Sequence, residues 1–315
     1  MNLPLNALFM APMVDLSHVA YRELVRGFGG CDLFYSEMLN SRIVPKEDLS
    51  TSAYLQWACL DDLIFQIVGN DFSAMQAAIK RLDALHPRGI DINMGCSLKK
   101  IRAHGWGASL MTDPGVAKVL VSGFRKATDG PLSVKMRIGD TPDMAYLLGF
   151  ASMLEACGVD FLVLHARTSK EGMSRRARWE YIAALKAHLS IPVIGNGGIN
   201  GPGDVLEMFK KTGCDGVMIG RQAIVTPWIF RDTKALMAGE PAPVRPDIMG
   251  VTLDLISLLE KYFTPDIAWK RFKTAFTWLS KNLVYGHYLL KEINRLPNMD
   301  AAKGTIIKAF DDGMS

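Results

Sequence analysis

The chain has 315 residues, of which 49% are hydrophobic and 22% are charged, so it can bury a large core and is not a largely disordered chain. No apolar run reaches the length that a membrane span requires, and we expect no membrane partner. The formal net charge of +4 is mildly basic, which permits a polyanionic partner such as nucleic acid without requiring one.

The cysteines form an odd, scattered set, namely Cys31, Cys59, Cys96, Cys157 and Cys214. They contain no C-x-x-C pair and accompany no histidine-rich spacing, so we expect neither a metal site nor a disulfide framework. The first residues, MNLPLNALFMAPM, lack the basic start and long apolar run of a signal peptide. We therefore expect a reduced protein of the cytoplasm.

Eight short β-rich runs follow one another between residues 8 and 221. In chain order they are LFMAPM, DLFYSEM, LIFQIVG, GIDINMG, LSVKMRI, FLVLHAR, PVIGNGG and GVMIGR. Most are continuously apolar in the middle, which is typical of strands that are covered on both faces, as in a parallel sheet.

Amphipathic helical stretches lie between most of these runs. They are SHVAYRELVRGF after the first run, SAMQAAIKRLDAL after the third, DPGVAKVLVSGFRKA after the fourth, MAYLLGFASMLEACG after the fifth and PGDVLEMFKKTG after the seventh. This alternation predicts an α/β protein built on a closed parallel (β/α)8 TIM barrel. An open doubly wound sheet is the alternative, but it favours G-x-G-x-x-G after the first strand, where residues 11–18 are APMVDLSH.

The strand pattern stops after Trp228. Residues 239–247, GEPAPVRPD, are rich in proline and predict a linker. Three apolar-periodic segments follow, which are IMGVTLDLISLLEKYF, IAWKRFKTAFTWLSKNL and TIIKAFDD. We therefore predict two domains, a barrel over residues 1–238 and a C-terminal all-helical domain over residues 239–315.

Polar residues cluster where the predicted strands end, which is where this fold places its active sites. They are Glu37, Gln66, Asn93 to Cys96, Lys135, Arg137, His165 to Arg167, Asn196 to Gly198, and Gly220 with Arg221. Packing alone does not explain so many polar residues at strand ends, since each buried donor or acceptor needs a partner. The loops after strands seven and eight form the usual phosphate site of the fold, so their glycines predict either the close approach of a ligand or tight turns.

Lys135 lies in the middle of a predicted strand, where a buried cation needs an anionic partner. A reduced flavin, which carries negative charge near N1 and the C2 carbonyl, would supply one. The amide of Gln66 could bond to the edge of the flavin ring. His165 could hold the ring or its phosphate, or it could be a core histidine bonded to a carbonyl.

A set of motifs runs in order through the predicted barrel. They are APM at 11–13, SEM at 36–38, QIVG at 66–69, DINMGCSLKK at 91–100, GWGASLM at 105–111, VKMR at 134–137, HART at 165–168, IPVIGNGGI at 191–199 and GCDGVMIGRQAIVTPWIF at 213–230. Together they resemble the dihydrouridine synthase family of flavoenzymes. WKRFKTAFTWL, at 269–279, resembles the RNA-binding domain of that family more loosely.

The resemblance implies an FMN-bound barrel that reduces the C5=C6 bond of specific uridines in tRNA, with NADPH as the reductant. By position, FMN would be held by Pro12, Met13, Val14, Gln66, Lys135, His165, Asn196, Gly197, Gly198, Gly220 and Arg221. The substrate would be held by Asn93 and Arg137 at the uracil edge, and by Lys99, Lys100 and Arg167. Lys99 and Lys100 would meet phosphates of the RNA.

By the same resemblance, Cys96 is the general acid. Reduction of uracil needs a hydride at C6 and a proton at C5, and a thiol can donate that proton at neutral pH. The base must leave its stack to react, so we expect the enzyme to bind an extruded uridine.

The predicted helical domain offers further contacts to RNA. The candidates are the charged residues Lys270, Arg271, Lys273 and Lys281, whereas Trp269 and Trp278 are expected in the core because of their helical spacing. A substrate of this size needs an open barrel mouth, and we therefore expect a monomer.

The sequence departs from the family pattern at two places. Ser97 stands where the family usually has proline, which loosens the loop after Cys96. Arg175, Arg176 and Arg178 add positive charge near the predicted mouth, which raises the alternative of another RNA such as rRNA. Two further alternatives are an FMN-barrel reductase of a small free substrate, of the dihydroorotate or enoate type, and a flavin-binding RNA chaperone without turnover.

Overall fold

A computed structural model of the protein describes residues 3–49, 51–172 and 174–312. The strands are β1 (Ala7–Met10), β2 (Leu33–Asn40), β3 (Leu63–Val68), β4 (Gly89–Met94), β5 (Leu132–Arg137), β6 (Phe161–His165), β7 (Val193–Asn196) and β8 (Gly216–Ile219). Each strand pairs in parallel with the next, and β8 closes the sheet on β1. The predicted (β/α)8 TIM barrel is therefore confirmed.

The barrel interior holds both apolar and polar side chains, because alternate side chains of each strand point inward. The apolar ones include Phe9, Tyr35, Ile64, Phe161, Val163 and Ile194, all buried. The register of β4 on β5 sets Asp91 beside Ser133 and Asn93 beside Lys135, and that of β5 on β6 sets Ser133 beside Phe161 and Lys135 beside Val163. Polar side chains therefore lie among the apolar ones as well as at the carboxyl ends of the strands.

The α-helices surround the barrel and then continue beyond it. They are α1 (Val19–Phe28), α2 (Phe72–Asp83), α3 (Lys99–Arg102), α4 (Pro114–Arg125), α5 (Met144–Ala156), α6 (Trp179–His188), α7 (Pro202–Thr212), α8 (Arg221–Val225), α9 (Ile229–Ala238), α10 (Ile248–Tyr262), α11 (Pro265–Leu279), α12 (Gly286–Ile293) and α13 (Met299–Asp311). Short 3-10 turns cover Val44–Lys46, Gly107–Thr112 and Ser280–Asn282. The helices predicted after the first, third, fourth, fifth and seventh strands are confirmed.

The helices α3, α6, α8, α9 and α12 were not predicted. The α6 and α12 helices begin after Arg178 and Tyr285, and neither of these residues caps the helix with its side chain. The usual start signal of Ser, Thr, Asp or Asn is therefore missing from the sequence. Between β2 and β3 the described chain forms only the turn at Val44–Lys46 and irregular structure.

The helices α10 to α13, which we call the tail, pack against the barrel. The buried face of α10 includes Leu255 and Leu259, and α10 lies against α1. The hydroxyl of Tyr262 donates to Glu23 of α1 at 2.7 Å. Residues 240–247 contain neither helix nor strand, and the division into domains after residue 238 stays a prediction.

None of the described helices is both long enough and apolar enough to cross a membrane.

Candidate active site

A cavity of about 370 Å³ opens at the carboxyl ends of the strands, within the range of ~300–1,000 Å³ that is usual for small-molecule sites. Its lining consists of Ala11, Pro12, Met13, Lys135, His165, Arg167, Asn196, Gly197, Gly198, Ile199, Asn200, Met218, Gly220, Arg221, Gln222, Val225, Trp278 and Lys281. All the residues predicted to hold the cofactor are here except Val14 and Gln66. Val14 is exposed and Gln66 is buried, and neither lines the cavity.

The charge of the cavity is positive. Lys135, Arg167, Arg221 and Lys281 line it, and no carboxylate of the described residues does. Burial lowers the pKa of Lys135 to about 8, and the nearby charge of Arg137 acts in the same direction. Burial and the nearby cation both disfavour the charged form of Lys135. The site therefore favours an anionic ligand, because such a ligand would stabilise the charged form.

His165 is held as a neutral ring. Burial lowers its pKa well below the ordinary value, and the charges of Lys135, Arg137, Arg167 and Arg221 lower it further. Arg167 Nη1 lies 2.9 Å from His165 Nε2, and because a guanidinium only donates, Nε2 must accept and Nδ1 carries the hydrogen. His165 therefore orients Arg167 toward the cavity as well as lining it.

The loop after β7 requires glycine. Gly197 has a φ of 103° and Gly198 a φ of 83°, a region that favours glycine. A Cβ on Gly197 would also come within 2.7 Å of the His165 ring. At the end of β8, a Cβ on Gly220 would meet only Ala11 and Met13, at 3.7 and 3.9 Å, so the missing side chain leaves backbone accessible from the cavity.

A chain of amides links the barrel interior to the backbone at Cys96. Gln66 Nε2 donates to Asp91 at 2.7 Å, and Asn93 Nδ2 donates to Gln66 Oε1 at 2.8 Å. Asn93 Oδ1 then accepts the backbone N–H groups of Gly95 and Cys96, at 3.1 and 2.9 Å. The charged form of Asp91 sets the direction of donation, because both of its oxygens then accept, one from Gln66 and the other from the hydroxyl of Ser133 at 2.6 Å.

This chain gives Asp91 a positioning part, and it gives Gln66 and Asn93 such a part beside the ones that the sequence suggested. Gln66 has both ends of its amide engaged by protein groups, and Asn93 holds the turn that presents Cys96. Burial raises the pKa of Asp91 to about 7, against the hydrogen bonds from Ser133 and Gln66. Sequence reasoning missed Asp91, although it stands two residues before Asn93 and so points to the same face of the strand.

Replacing Asn93 by aspartate should interrupt this chain of hydrogen bonds at the bond from Asn93 to Gln66. The new carboxylate cannot donate to Gln66, so a buried acceptor loses its partner, and we expect a loss of about 2 kcal/mol in the free energy of unfolding. Adding Asp91→Asn should restore most of it. The amide introduced at position 91 can donate to a reversed Gln66 amide, which in turn donates to the new carboxylate at position 93. Urea unfolding of the two single variants and the double variant, at a pH above about 7 where Asp91 is charged, measures the effect.

Asp91→Asn alone is the matched control. Its amide oxygen can still accept from Gln66 while the Ser133 hydroxyl turns to accept, so we expect less than ~1 kcal/mol. A double variant as unstable as Asn93→Asp would show that the order of donors along the chain does not matter.

Cys96 is half-buried at the end of β4, next to the cavity but not in its lining. It lies near both Lys135 and Arg137. Arg137 bonds to the loop that carries the cysteine, because its Nε donates to Gly95 O at 2.9 Å and its Nη1 donates to Thr168 O at 2.8 Å. The thiol is thus presented at the mouth by a fixed backbone, and Ser97, Lys99 and Lys100 follow it.

The profile of the family described as Dihydrouridine synthase (Dus) matches this chain over residues 9–311. The chain belongs to the dihydrouridine synthase family. The family that the motifs indicated, and the prediction that the chain is an oxidoreductase, are both confirmed.

Three relatives carry names of the same kind. The tRNA-dihydrouridine synthase B of Yersinia pestis is 35% identical over 76% of this chain and 75% of its own length. That of Pseudomonas aeruginosa is 29% identical over 97% of this chain and 93% of its own length. A probable tRNA-dihydrouridine synthase of Mycobacterium tuberculosis is 31% identical over 92% of this chain and 79% of its own length.

Two solved structures share the fold. The 2-naphthoyl-CoA reductase structure matches over 75% of this chain and 50% of its own, with 16% identity and a TM-score of 0.54. Histamine dehydrogenase from Rhizobium sp. 4-9 matches over 80% of this chain and 49% of its own, with 14% identity and a TM-score of 0.55. The chain spans about half of either structure, and the likeness concerns the barrel fold alone.

In this dihydrouridine synthase, the arginines after β6 do not act alike. Arg178 forms a bidentate ion pair with Glu171, with both distances at 2.6 Å, whereas Arg175 and Arg176 are exposed. Arg175 and Arg176 line a second cavity of about 410 Å³ that shares Arg167 and Arg221 with the first, and its Lys211 is paired with Glu207. The mouth of this family member is therefore basic on the side of β6 and β7.

Lys99 and Lys100 are exposed on α3, the short helix after Cys96.

Arg271 was predicted to contact RNA, and that prediction is wrong. Its side chain is 3% exposed, and its Nη1 donates to Glu37 Oε2 at 2.8 Å. Glu37 is 2% exposed, and its other oxygen accepts the N–H of Asp15 at 2.6 Å. This buried pair joins the tail to the barrel, so Arg271 is a structural residue and Glu37 is its partner.

The two tryptophans of α11 were expected in the core. Both are half-buried and pack against it, but Trp278 also lines the first cavity, together with Lys281. Sequence reasoning did not foresee that the tail reaches this cavity, because nothing in a helical segment indicates which loop of the barrel it will meet.

Proposed function

We propose that this dihydrouridine synthase reduces the C5=C6 bond of uridines in tRNA, with FMN in the 370 Å³ cavity and NADPH as the reductant. The observation that carries the proposal is the cationic cavity beside Cys96. Its residues come from the ends of several strands of the barrel, and the chain belongs to this family. The names of its relatives support tRNA as the substrate.

The residues of the cavity fit FMN, which combines a planar ring with a phosphate. The glycines after β7 and β8 expose backbone where this fold usually binds phosphate, and Arg221 supplies charge beside them. Lys135 and the Nδ1–H of His165 offer donors to the ring, and Asn196 orients Lys135, whose Nζ donates to Asn196 Oδ1 at 3.3 Å. Pro12 and Met13 give the lining an apolar side.

When bound, FMN supplies the hydride for C6 of uracil. Cys96 then donates a proton to C5, and its position is maintained by Asn93 and Arg137 through the Gly95–Cys96 backbone. In this arrangement, Arg167 at the cavity and Lys99 and Lys100 on α3 bind the RNA that carries the uridine. Since a reacting base must leave its stack, the open mouth admits a single extruded nucleotide.

We further propose that the enzyme acts as a monomer in the cytoplasm. The support for a monomer is the open mouth that a large RNA requires. The support for a reducing compartment is the odd set of five free cysteines.

Mapping reduced uridines in cellular RNA, from cells with and without this protein, tests the proposal. We expect dihydrouridine to disappear from defined positions in tRNA and to return when the wild-type chain is restored, but not the Cys96→Ala variant. Loss of dihydrouridine from rRNA alone would make rRNA the substrate of the same reaction. The positive charge of Arg175 and Arg176 near the mouth supports this alternative. Unchanged RNA would favour a reductase of a small free substrate or an RNA chaperone without turnover, and full restoration by Cys96→Ala would show that the proton comes from another group.

The affinity for FMN should fall as the pH rises through about 8. The pKa of Lys135 is lowered to about 8, so the side chain is charged below this pH and loses its proton above it. An anionic ligand needs the charged form, and binding therefore takes up a proton above about pH 8. Titrations of FMN between about pH 7 and about pH 9 should show this fall in the wild type and a flatter profile in Lys135→Met. If FMN affinity depended on pH equally in the two proteins, Lys135 would not be a residue of the binding site.

A further inference from the structure

The tail contributes to the cavity in which the cofactor is proposed to bind. Trp278 stands near the end of α11, and Lys281 stands in the 3-10 turn Ser280–Asn282. Both line the cavity, as do Arg221 and Val225 of the barrel helix α8. The tail thus closes one side of a site whose other sides come from the strand ends.

Hydrogen bonds hold this turn in place beside α8. Asn282 Nδ2 donates to Val225 O at 2.6 Å, and also to Leu279 O at 3.0 Å. Arg245, from the segment before α10, donates to Asn282 O at 2.9 Å. Since α8 begins directly after Gly220, the position of Lys281 is tied to the loop that carries Gly220 and Arg221.

Lys281 has a charge that the described part of the protein does not neutralise. Its Nζ lies 4.1 Å from the centre of the Trp278 ring, and among the described residues no carboxylate forms an ion pair with it. The ring restricts the ammonium through a cation–π contact but leaves its hydrogen-bond donors free. A lysine in this state suits a phosphate that binds between the tail and α8.

We propose that Lys281 is a binding residue of the cofactor site and that its ammonium contacts the phosphate of the bound flavin nucleotide. This inference rests on the proposed function, because it takes FMN to be the ligand. It makes the tail part of the cofactor site and not only of the RNA interface. The buried pair between Arg271 and Glu37 then has a second consequence, since it holds in place the helix that ends next to Lys281.

The chain contains a matched control for this lysine. Lys273 also lies on the tail and also sits over a tryptophan ring, with its Nζ 4.8 Å from the centre of Trp269. It does not line the cavity. Lys273→Met therefore removes the same charge and the same kind of cation–π contact at a place where no phosphate is expected.

Binding of FMN and of riboflavin to the flavin-free full-length protein, followed by quenching of flavin fluorescence, tests the inference. We expect Lys281→Met to weaken FMN binding by about tenfold, as for one charge-assisted hydrogen bond in a partly solvated site, and to leave riboflavin binding unchanged. Riboflavin has the same ring but no phosphate. Lys273→Met should bind both ligands as the wild type does, and the effect of Lys281→Met should shrink as salt is added.

The outcomes separate the inference from the proposed function. A wild-type protein that binds neither ligand would overturn the proposed function, and this inference with it. Flavin binding by the wild type with unchanged FMN affinity in Lys281→Met would overturn the inference alone. Equal weakening of FMN and riboflavin, or equal weakening in Lys281→Met and Lys273→Met, would overturn the phosphate contact, because neither pattern depends on a phosphate at Lys281.

Discussion

Replacing Cys96 by alanine is expected to lower the rate of uridine reduction by about 10²- to 10⁴-fold, the usual contribution of a general acid. The fall should appear in the step in which reduced flavin is reoxidised by RNA, because proton donation to C5 belongs to that step. Flavin binding should be unchanged, since Cys96 lies next to the cavity and does not line it. The measurement is the single-turnover decay of reduced flavin after mixing with tRNA.

The matched control for this variant is Cys59→Ala. Cys59 is also a half-buried free cysteine, but it lies between β2 and β3 and does not line the cavity. We expect its single-turnover rate to equal that of the wild type. A Cys96→Ala protein that reduces tRNA at the wild-type rate would show that the proton comes from another group.

Replacing Arg271 by methionine is expected to destabilise the protein by about 3–5 kcal/mol, because it leaves the carboxylate of Glu37 buried without its cation. Burial already raises the pKa of Glu37, and Arg271 is the main group that opposes this effect. Without Arg271, the carboxyl must take up a proton or the tail must separate from the barrel. Denaturant unfolding gives the change in free energy, and limited proteolysis shows whether the tail loosens first.

Two further variants test whether the loss comes from the unpaired charge. Glu37→Gln combined with Arg271→Met removes both charges and keeps an acceptor for the N–H of Asp15, so the double variant should be more stable than Arg271→Met alone. Lys303→Met breaks an ion pair of the same tail that is partly exposed, 2.7 Å from Glu260, and should cost less than ~1 kcal/mol. Equal losses in Arg271→Met and Lys303→Met would argue against a special part for the buried pair.

The barrel could be predicted from the sequence because its signal is local. Each strand is a short apolar run bounded by turn residues, and several of the predicted helices begin with Asp or Pro, as at Asp113 and Pro202. The α12 helix escaped prediction for the opposite reason. It is eight residues long and has no side-chain cap, so its existence depends on packing against the other tail helices.

The candidate site could be predicted in part, because this fold collects the carboxyl ends of its strands at one mouth. That rule is enough to bring Lys135, His165, Asn196 and Arg221 together from four separate strand ends. It does not say which polar side chains bind each other. Gln66 was expected at the flavin, but its amide is engaged by Asp91 and Asn93, and only the distances between them show this.

Residue order alone thus determined the family, the parallel barrel and the group of strand ends that meet at its mouth, since these follow from short-range patterns and from motifs. Only the tertiary structure decided the partners of the tail. Arg271 and Glu37 are 234 positions apart, and their charges look equally solvated in the sequence until packing excludes water from both. The same holds for Lys281, which resembles any other lysine of a helical segment until its turn is fixed on α8. A contact between distant segments depends on how their surfaces fit, and no local pattern encodes that fit.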